Sequence, residues 1–170
     1  MKIKALAVSA LLLGFGASSA FAQTCSAPTH LDSNTTVNGN TCGGDQSFTD
    51  ICGGATLTGA SNVYSWTVGA AATVNGSVTV TPTGAGATFD PGIAIVSGTT
   101  CSGALGNCTG TADANGSGGA ETIALTGNAS AAGTYYLIVS SFSTTGANQC
   151  GAYSLAAGTL PVKLQSFSIN

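Results

Sequence analysis

Apolar and polar residues alternate in several segments of the chain. In "NVYSWTV", Tyr64, Trp66 and Val68 fall on one face, and in "TVNGSVTVTP" Val78 and Val80 lie opposite the Ser and Thr positions. Since successive side chains of a strand point to opposite faces, this period of two predicts β-strands. Further strands are predicted by "GIAIVSG", "ETIALTG", "GTYYLIVSS" and "GAYSLAAG". No apolar stripe of helical period extends beyond a turn or two.

The arrangement of these segments predicts one all-β domain. "GTYYLIVSS" is apolar at both parities, as expected of a central strand packed on both sides. Gly-rich turn clusters separate the strands at uneven intervals, without a repeat of fixed length. The pattern favours an antiparallel β-sandwich of jelly-roll-like type.

The N-terminal segment has the features of a secretory signal peptide. Lys2 and Lys4 precede an apolar stretch too short to span a bilayer, and "AFA" supplies small residues before the cleavage position. We predict a signal peptide at 1–22, a domain at 23–157 and a strand-like C-terminal segment at 158–170. The mature protein is therefore expected outside the cell or at its surface.

Charge excludes several classes of partner. The whole chain has three basic and six acidic residues, and Lys163 is the sole cation after position 22. One cation cannot neutralise a phosphate backbone, so we expect neither nucleic-acid binding nor attraction to anionic membranes, and no membrane insertion. A nearly neutral surface permits close packing with copies of itself or with uncharged polymers.

Six cysteines in an exported chain predict three disulfides. Two pairs, Cys42–Cys52 and Cys101–Cys108, would each close a short loop that contains Gly. Subtraction then leaves Cys25–Cys150, which would join the N-terminal segment to the last core strand. The sequence has no C-x-x-C motif, so the spacing of the cysteines does not indicate a metal site.

The order of segments resembles the bacterial pre-peptidase C-terminal domain. The resemblance rests on "VYSWTV", "GSVTVTP", "FDPGIAIVSG", "ETIALTG", "AGTYYLIVSSF" and "CGAYSL", from about Asn62 to Ala157. A Cys-bearing variant of the domain is the better match. The resemblance implies a β-sandwich appended to exported enzymes, where it assists secretion or binds substrates and surfaces. Here no enzyme accompanies it, which departs from that architecture.

Catalytic constellations are not evident in the sequence. A Ser–His–Asp device would need His30, which lies in "SAPTHLDSN" without a Gly-x-Ser-x-Gly motif downstream. Nearly all the acidic residues fall in predicted turns, where Asp90 before Pro91 is typical turn chemistry. We predict no enzymatic activity and no catalytic residues.

One segment could bind calcium. "DANGSGGAE" places oxygen ligands at Asp113, Asn115, Ser117 and Glu121, as the first part of a calcium loop does. The bidentate Glu expected three residues further on is replaced by Ala124. The other interpretation is an acidic loop before a strand, without a cofactor.

Aromatic residues are assigned to the core by default, because they occupy strand positions. Tyr135 and Tyr136 must point to opposite faces, so one of them is a candidate for partial exposure and ligand binding.

The segment "GTLPVKLQSFSIN" continues after the domain pattern ends. Its alternating apolar residues are the candidate assembly residues Leu160, Val162, Leu164, Phe167 and Ile169. It is interpreted either as a last strand of its own sandwich or as a strand added to a neighbouring copy. We therefore expect a non-enzymatic structural or adhesive protein that self-associates into a filament or matrix. The alternative is a monomeric extracellular module that binds polysaccharide or protein.

Overall fold

The structure is a computed structural model. It describes residues 24–46, 48, 50–52, 57, 59–69, 75–84, 87–98, 104–105, 108–141 and 149–160. These residues form eleven β-strands and no helix. The strands are β1 (Thr29–His30), β2 (Thr35–Asn40), β3 (Asp50–Ile51), β4 (Asn62–Val68), β5 (Ser77–Pro82), β6 (Pro91–Ser97), β7 (Ala104–Leu105), β8 (Cys108–Ala112), β9 (Glu121–Ala124), β10 (Gly133–Ser141) and β11 (Ala152–Ala157).

Two main sheets carry the fold. Sheet I has the order β1-β4-β10-β6-β8, and sheet II has the order β2-β11-β5-β9. A small sheet, called here the cover sheet, consists of β3 and β7. Pairing within the main sheets is antiparallel except between β1 and β4. The predicted all-β fold is confirmed.

The principal core lies between sheets I and II. Alternate residues of β4 and β10 point into it, among them Tyr64, Trp66, Leu137 and Val139. Sheet II contributes Val78, Val80, Tyr153, Leu155 and Ile123 from its inner face. The strand parity read from the sequence therefore matches the core-facing side.

A second core lies on the other face of sheet I. Val63, Val96 and Ile138 point away from sheet II and pack against Phe48, Ile51 and Leu57. These three belong to the part of the chain around β3, called here the covering segment. Both parities of β10 are consequently buried, which confirms the prediction of two-sided packing for 133–141. Burial at both faces explains why this strand is a continuous apolar run.

The disulfides differ from the predicted pairs. Cys42 bonds to Cys150 and Cys52 bonds to Cys108, so the predictions Cys42–Cys52, Cys101–Cys108 and Cys25–Cys150 are wrong. Cys25 is also disulfide-bonded, and Cys101 lies outside the described residues.

Strand register explains the first pair. Asn40 and Ala152 are partners in the β2–β11 ladder. Continuing that antiparallel register by two residues sets Cys42 opposite Cys150, with their Cα atoms 4.9 Å apart. The prediction preferred cysteines that are close in sequence, whereas strand pairing brings distant ones together. The second pair ties the segment after β3 to edge strand β8.

Candidate functional site

Glu121 anchors the loop that was predicted to bind calcium. Its side chain is 1% exposed, and Oε1 accepts hydrogen bonds from the backbone N–H groups of Ala114 (2.9 Å) and Asn115 (2.6 Å). Asn115 Nδ2 in turn donates to the Ala120 carbonyl at 2.7 Å. Charged acceptors make strong hydrogen bonds to backbone N–H groups. Glu121 and Asn115 thus close the loop 113–121 together.

Two further carboxylates lie close enough to Glu121 to feel its charge, one on Asp90 and one on Asp113 within the loop. Desolvation raises the pKa of Asp90, and the charge of Glu121 raises it further. Asp113 is exposed as a residue, yet desolvation of its carboxyl, then the charges of Asp90 and Glu121, raise its pKa. Asp90 Oδ1 is buried without a hydrogen-bond partner. We call Asp90, Asp113 and Glu121 the acidic corner.

Asp90 was assigned to a turn by its Pro91 neighbour, and its place in the acidic corner was missed. The signal that could have revealed it is the antiparallel pairing of β6, which begins just after Asp90, with β8, which ends just before Asp113. Among the described residues, no group of three or more His, Cys, Asp or Glu side chains is arranged to hold a metal ion. Asn115 and Glu121 bond within the loop, and a calcium site at Asp113, Asn115, Ser117 and Glu121 remains a prediction from sequence.

His30 lies at the surface in β1. Its Nε2 atom is 3.5 Å from Asp32 Oδ1, and the two side chains are 65% and 74% exposed. The pair stands open to solvent rather than in a cleft, which is not the desolvated setting of a hydrolytic triad.

Tyrosines and asparagine form a buried polar cluster. Asn62 Nδ2 donates to Tyr153 Oη (2.9 Å) and to the Asn40 carbonyl (3.0 Å). The hydroxyls of Tyr64 and Tyr153 are 2.8 Å apart. Desolvation, followed by the influence of Tyr64, raises the pKa of Tyr153, so its hydroxyl stays protonated. All three side chains are buried, so this cluster orders the core.

The other Tyr and Trp residues that the structure describes also pack in the two cores. Trp66 and Tyr135 stack with ring centroids 5.8 Å apart, and both are buried. Tyr136 points the other way and packs, half-buried, against the second core. The opposite orientation of the two tyrosines is confirmed, and each described Tyr or Trp packs in a core.

A shallow cleft of about 380 Å³ lies at one end of sheet I. Ser97, Gly98 and residues 131–135 line it, and the Tyr135 hydroxyl there donates to the Ala131 carbonyl. Its lining has hydroxyl groups, those of Ser97, Thr134 and Tyr135, but no acidic or basic side chain.

The C-terminal segment leaves the sandwich beside the start of β2. Leu160 is 2% exposed and belongs to the principal core. Its N–H donates to Ser33 Oγ (3.0 Å), and the Gly158 carbonyl accepts from Asn34 N–H (2.9 Å). Of the five candidate assembly residues, Leu160 is thus committed to its own core. Val162, Leu164, Phe167 and Ile169 lie outside the described residues.

The outer face of sheet II is free of ionisable side chains. The solvent-facing positions of its four strands are Thr36, Asn38, Asn40, Ser77, Thr79, Thr81, Thr122, Ala124, Ala152, Ser154 and Ala156. Thr79 and Thr122 join two of the strands through a hydroxyl hydrogen bond of 2.9 Å. The alternating Thr and Ser of "GSVTVTP" already indicated this uncharged surface.

Comparison with known proteins gives no match: no family model, no curated protein and no solved structure is significantly similar to the chain. Within the part of the chain that the structure describes, no helix is long and apolar enough to cross a membrane. The two disulfides indicate folding in an oxidising compartment.

Proposed function

We propose that the chain is an exported, non-enzymatic structural or adhesive protein that self-associates outside the cell through its C-terminal segment. The observation that carries the proposal is the position of Leu160. This residue completes the core, and ten more residues with alternating apolar positions follow it in the sequence. The assembling strand is then residues 161–170, with Leu160 as its anchor.

Surface charge supports close packing between copies. Apart from His30, the ionisable side chains of the described residues are tyrosines and acids, and the outer face of sheet II has none. Copies that meet at this face of sheet II bring no like charges together. Disulfides suit a protein that must persist outside the cell.

A monomeric binding module is the alternative. Stacking on a polysaccharide would need exposed aromatic rings, and the described Tyr and Trp side chains lie in the two cores. The structural role is therefore better supported by the geometry.

The test compares the mature chain 23–170 with a chain that ends at Leu160. The shorter chain keeps the core residue and loses the strand. Light scattering and negative-stain imaging should show regular assemblies of the longer chain and monomers of the shorter one. Stable monomers of both chains would refute the proposal and make a screen of glycans and proteins the next step.

A further inference from the structure

Four strands form the edges of the main sheets, and three of them have features that obstruct pairing with another strand. β1 is two residues long. β8 is irregular opposite Ile95 and Val96 and begins at a disulfide. β9 has four residues and lies beside β8, where the side chains of Ile123 and Asn128 occupy the space that a side chain at Gly110 would need. Short, irregular or covered edges resist strand addition.

The fourth edge, β2, has none of these protections. It is six residues long, pairs with β11 in unbroken register and contains neither a charged residue nor a proline. A regular, uncharged edge is a template for another strand.

Backbone groups are available along this edge. In an antiparallel strand, alternate residues bond to the neighbouring strand and the others direct N–H and C=O outward. The Thr41 N–H donates to the Gly151 carbonyl, so Thr41 and every second residue before it bond toward β11. Thr36, Asn38 and Asn40 are the intervening residues, and their backbone groups therefore point outward. The Asn40 carbonyl accepts from Asn62. No hydrogen bond of the described residues uses the backbone of Thr36 or Asn38.

The core beneath β2 is incompletely covered. Val37 points inward and packs on the principal core, but it is only half-buried, as are Thr35 and Gly39. A strand added at this edge would bring apolar side chains over this margin and shield it from water.

We propose that the edge of β2 accepts residues 161–170 of a second copy as an added strand; this inference rests on the proposed function. At about 3.3 Å per residue the segment spans roughly 33 Å, against roughly 20 Å for β2, which leaves several residues as a connection. It also carries Lys163, a cation complementary to the acidic described surface.

Direction favours a second copy over the chain's own segment. Leu160 is bonded to Ser33, next to the start of β2. The chain's own segment would therefore begin at the first residue of β2 and run parallel to it. A segment from another copy is free to pair antiparallel, which is the more stable arrangement per residue.

The experiment uses the full mature chain with Asn38→Pro and, as the matched control, Asn38→Ala. Proline removes the outward N–H that the added strand would use, at an edge position where proline is tolerated. Alanine removes the exposed side chain and keeps the N–H. Assembly by light scattering should require about tenfold more protein, or more, for Asn38→Pro and should be unchanged for Asn38→Ala.

Hydrogen exchange gives an independent readout. The amides of Thr36 and Asn38 should exchange about tenfold more slowly, or slower still, in wild-type assemblies than in the chain that ends at Leu160. If Asn38→Pro does not fold, this hydrogen-exchange comparison is sufficient by itself to test the inference.

The contrary outcomes are separable. If the wild-type chain assembles while the Thr36 and Asn38 amides stay unprotected, this inference is overturned and the proposed function stands. The same holds if a folded Asn38→Pro chain assembles as well as wild type. The wild-type chain could instead be a monomer in which the Thr36 and Asn38 amides are protected and lose that protection when the chain ends at Leu160. Residues 161–170 would then pair with β2 of their own chain, which would refute both proposals. A wild-type monomer without protection would likewise refute both.

Discussion

At the scale of single residues, hydrogen bonds within the fold hold a cluster of buried polar side chains. Tyr153 illustrates this: its hydroxyl meets Asn62 and Tyr64, and its ring occupies the space left by the absent side chain of Gly39. An unsatisfied buried donor or acceptor costs about 1–3 kcal/mol, more than a typical hydrogen bond contributes. The cluster therefore makes the core specific as well as stable.

Tyr153→Phe should lower the free energy of unfolding by about 1–3 kcal/mol, because it leaves an Asn62 N–H without its partner. Urea unfolding of Tyr153→Phe, Tyr64→Phe and the double variant measures the effect. Since the two hydroxyls share one interaction, the double variant should lose less than the two single losses combined. Strict additivity would mean that the hydroxyls act independently.

Asp90 and Asp113 make stability depend on pH. Their pKa values are raised in the folded chain, by desolvation first and then by neighbouring carboxylates. Such a group contributes stability that is complete below its unfolded pKa and is lost as pH rises through the folded pKa. The acidic corner should therefore favour folding more as pH falls from 7 toward the ordinary carboxyl value of 3.8.

Asp90→Asn isolates this effect. We expect the variant to be more stable than wild type at pH 7 and the difference to shrink in acid, as measured by denaturant unfolding across pH. Asp32→Asn, at an exposed acid outside the corner, is the control. A destabilised Asp90→Asn chain at pH 7 would show that the carboxylate has a favourable partner instead.

At the scale of elements, strands rich in apolar residues were predictable and strands defined by pairing were not. The segments "NVYSWTV" and "GTYYLIVSS" coincide with β4 and β10. β2, with the sequence "TTVNGN", has one large apolar residue and was not predicted. Its formation depends on the ladder with β11 and on the disulfide beyond it. Propensity cannot reveal such an element, since tertiary pairing determines it.

The disulfides should contribute according to the loops they close. Replacing Cys42 and Cys150 together by Ser should cost about 4–5 kcal/mol, and replacing Cys52 and Cys108 somewhat less. The sequence separations are 108 and 56 residues, and halving a loop changes the entropy term by about 0.6 kcal/mol.

Urea unfolding of each double variant measures these costs, and hydrogen exchange locates the change. Loss of Cys52–Cys108 should expose the second core, seen as faster exchange around Val63 and Ile138. Unchanged protection there would mean that apolar packing alone holds the covering segment.

At the scale of the whole molecule, the two main sheets differ in how far their faces are packed against other parts of the chain. Sheet I is packed on both faces, whereas sheet II has one uncharged face toward solvent. Leu160, predicted as an assembly residue, is part of the principal core. Sequence parity placed Leu160 with Val162 and Leu164 in one stripe, but it could not show where the core ends and where the proposed assembling strand would begin.

Head-to-tail contacts that do not close into a ring generate open filaments. In such a filament a chain that ends at Leu160 can accept a strand but cannot donate one, so it terminates growth. Mixing this chain with the mature chain and measuring filament length by negative-stain imaging tests the central claim most directly. We predict that mean length falls steadily as the fraction of the shorter chain rises. If filament length does not change with the fraction of the shorter chain, assembly through residues 161–170 is contradicted. The same conclusion follows if the mature chain forms no filaments.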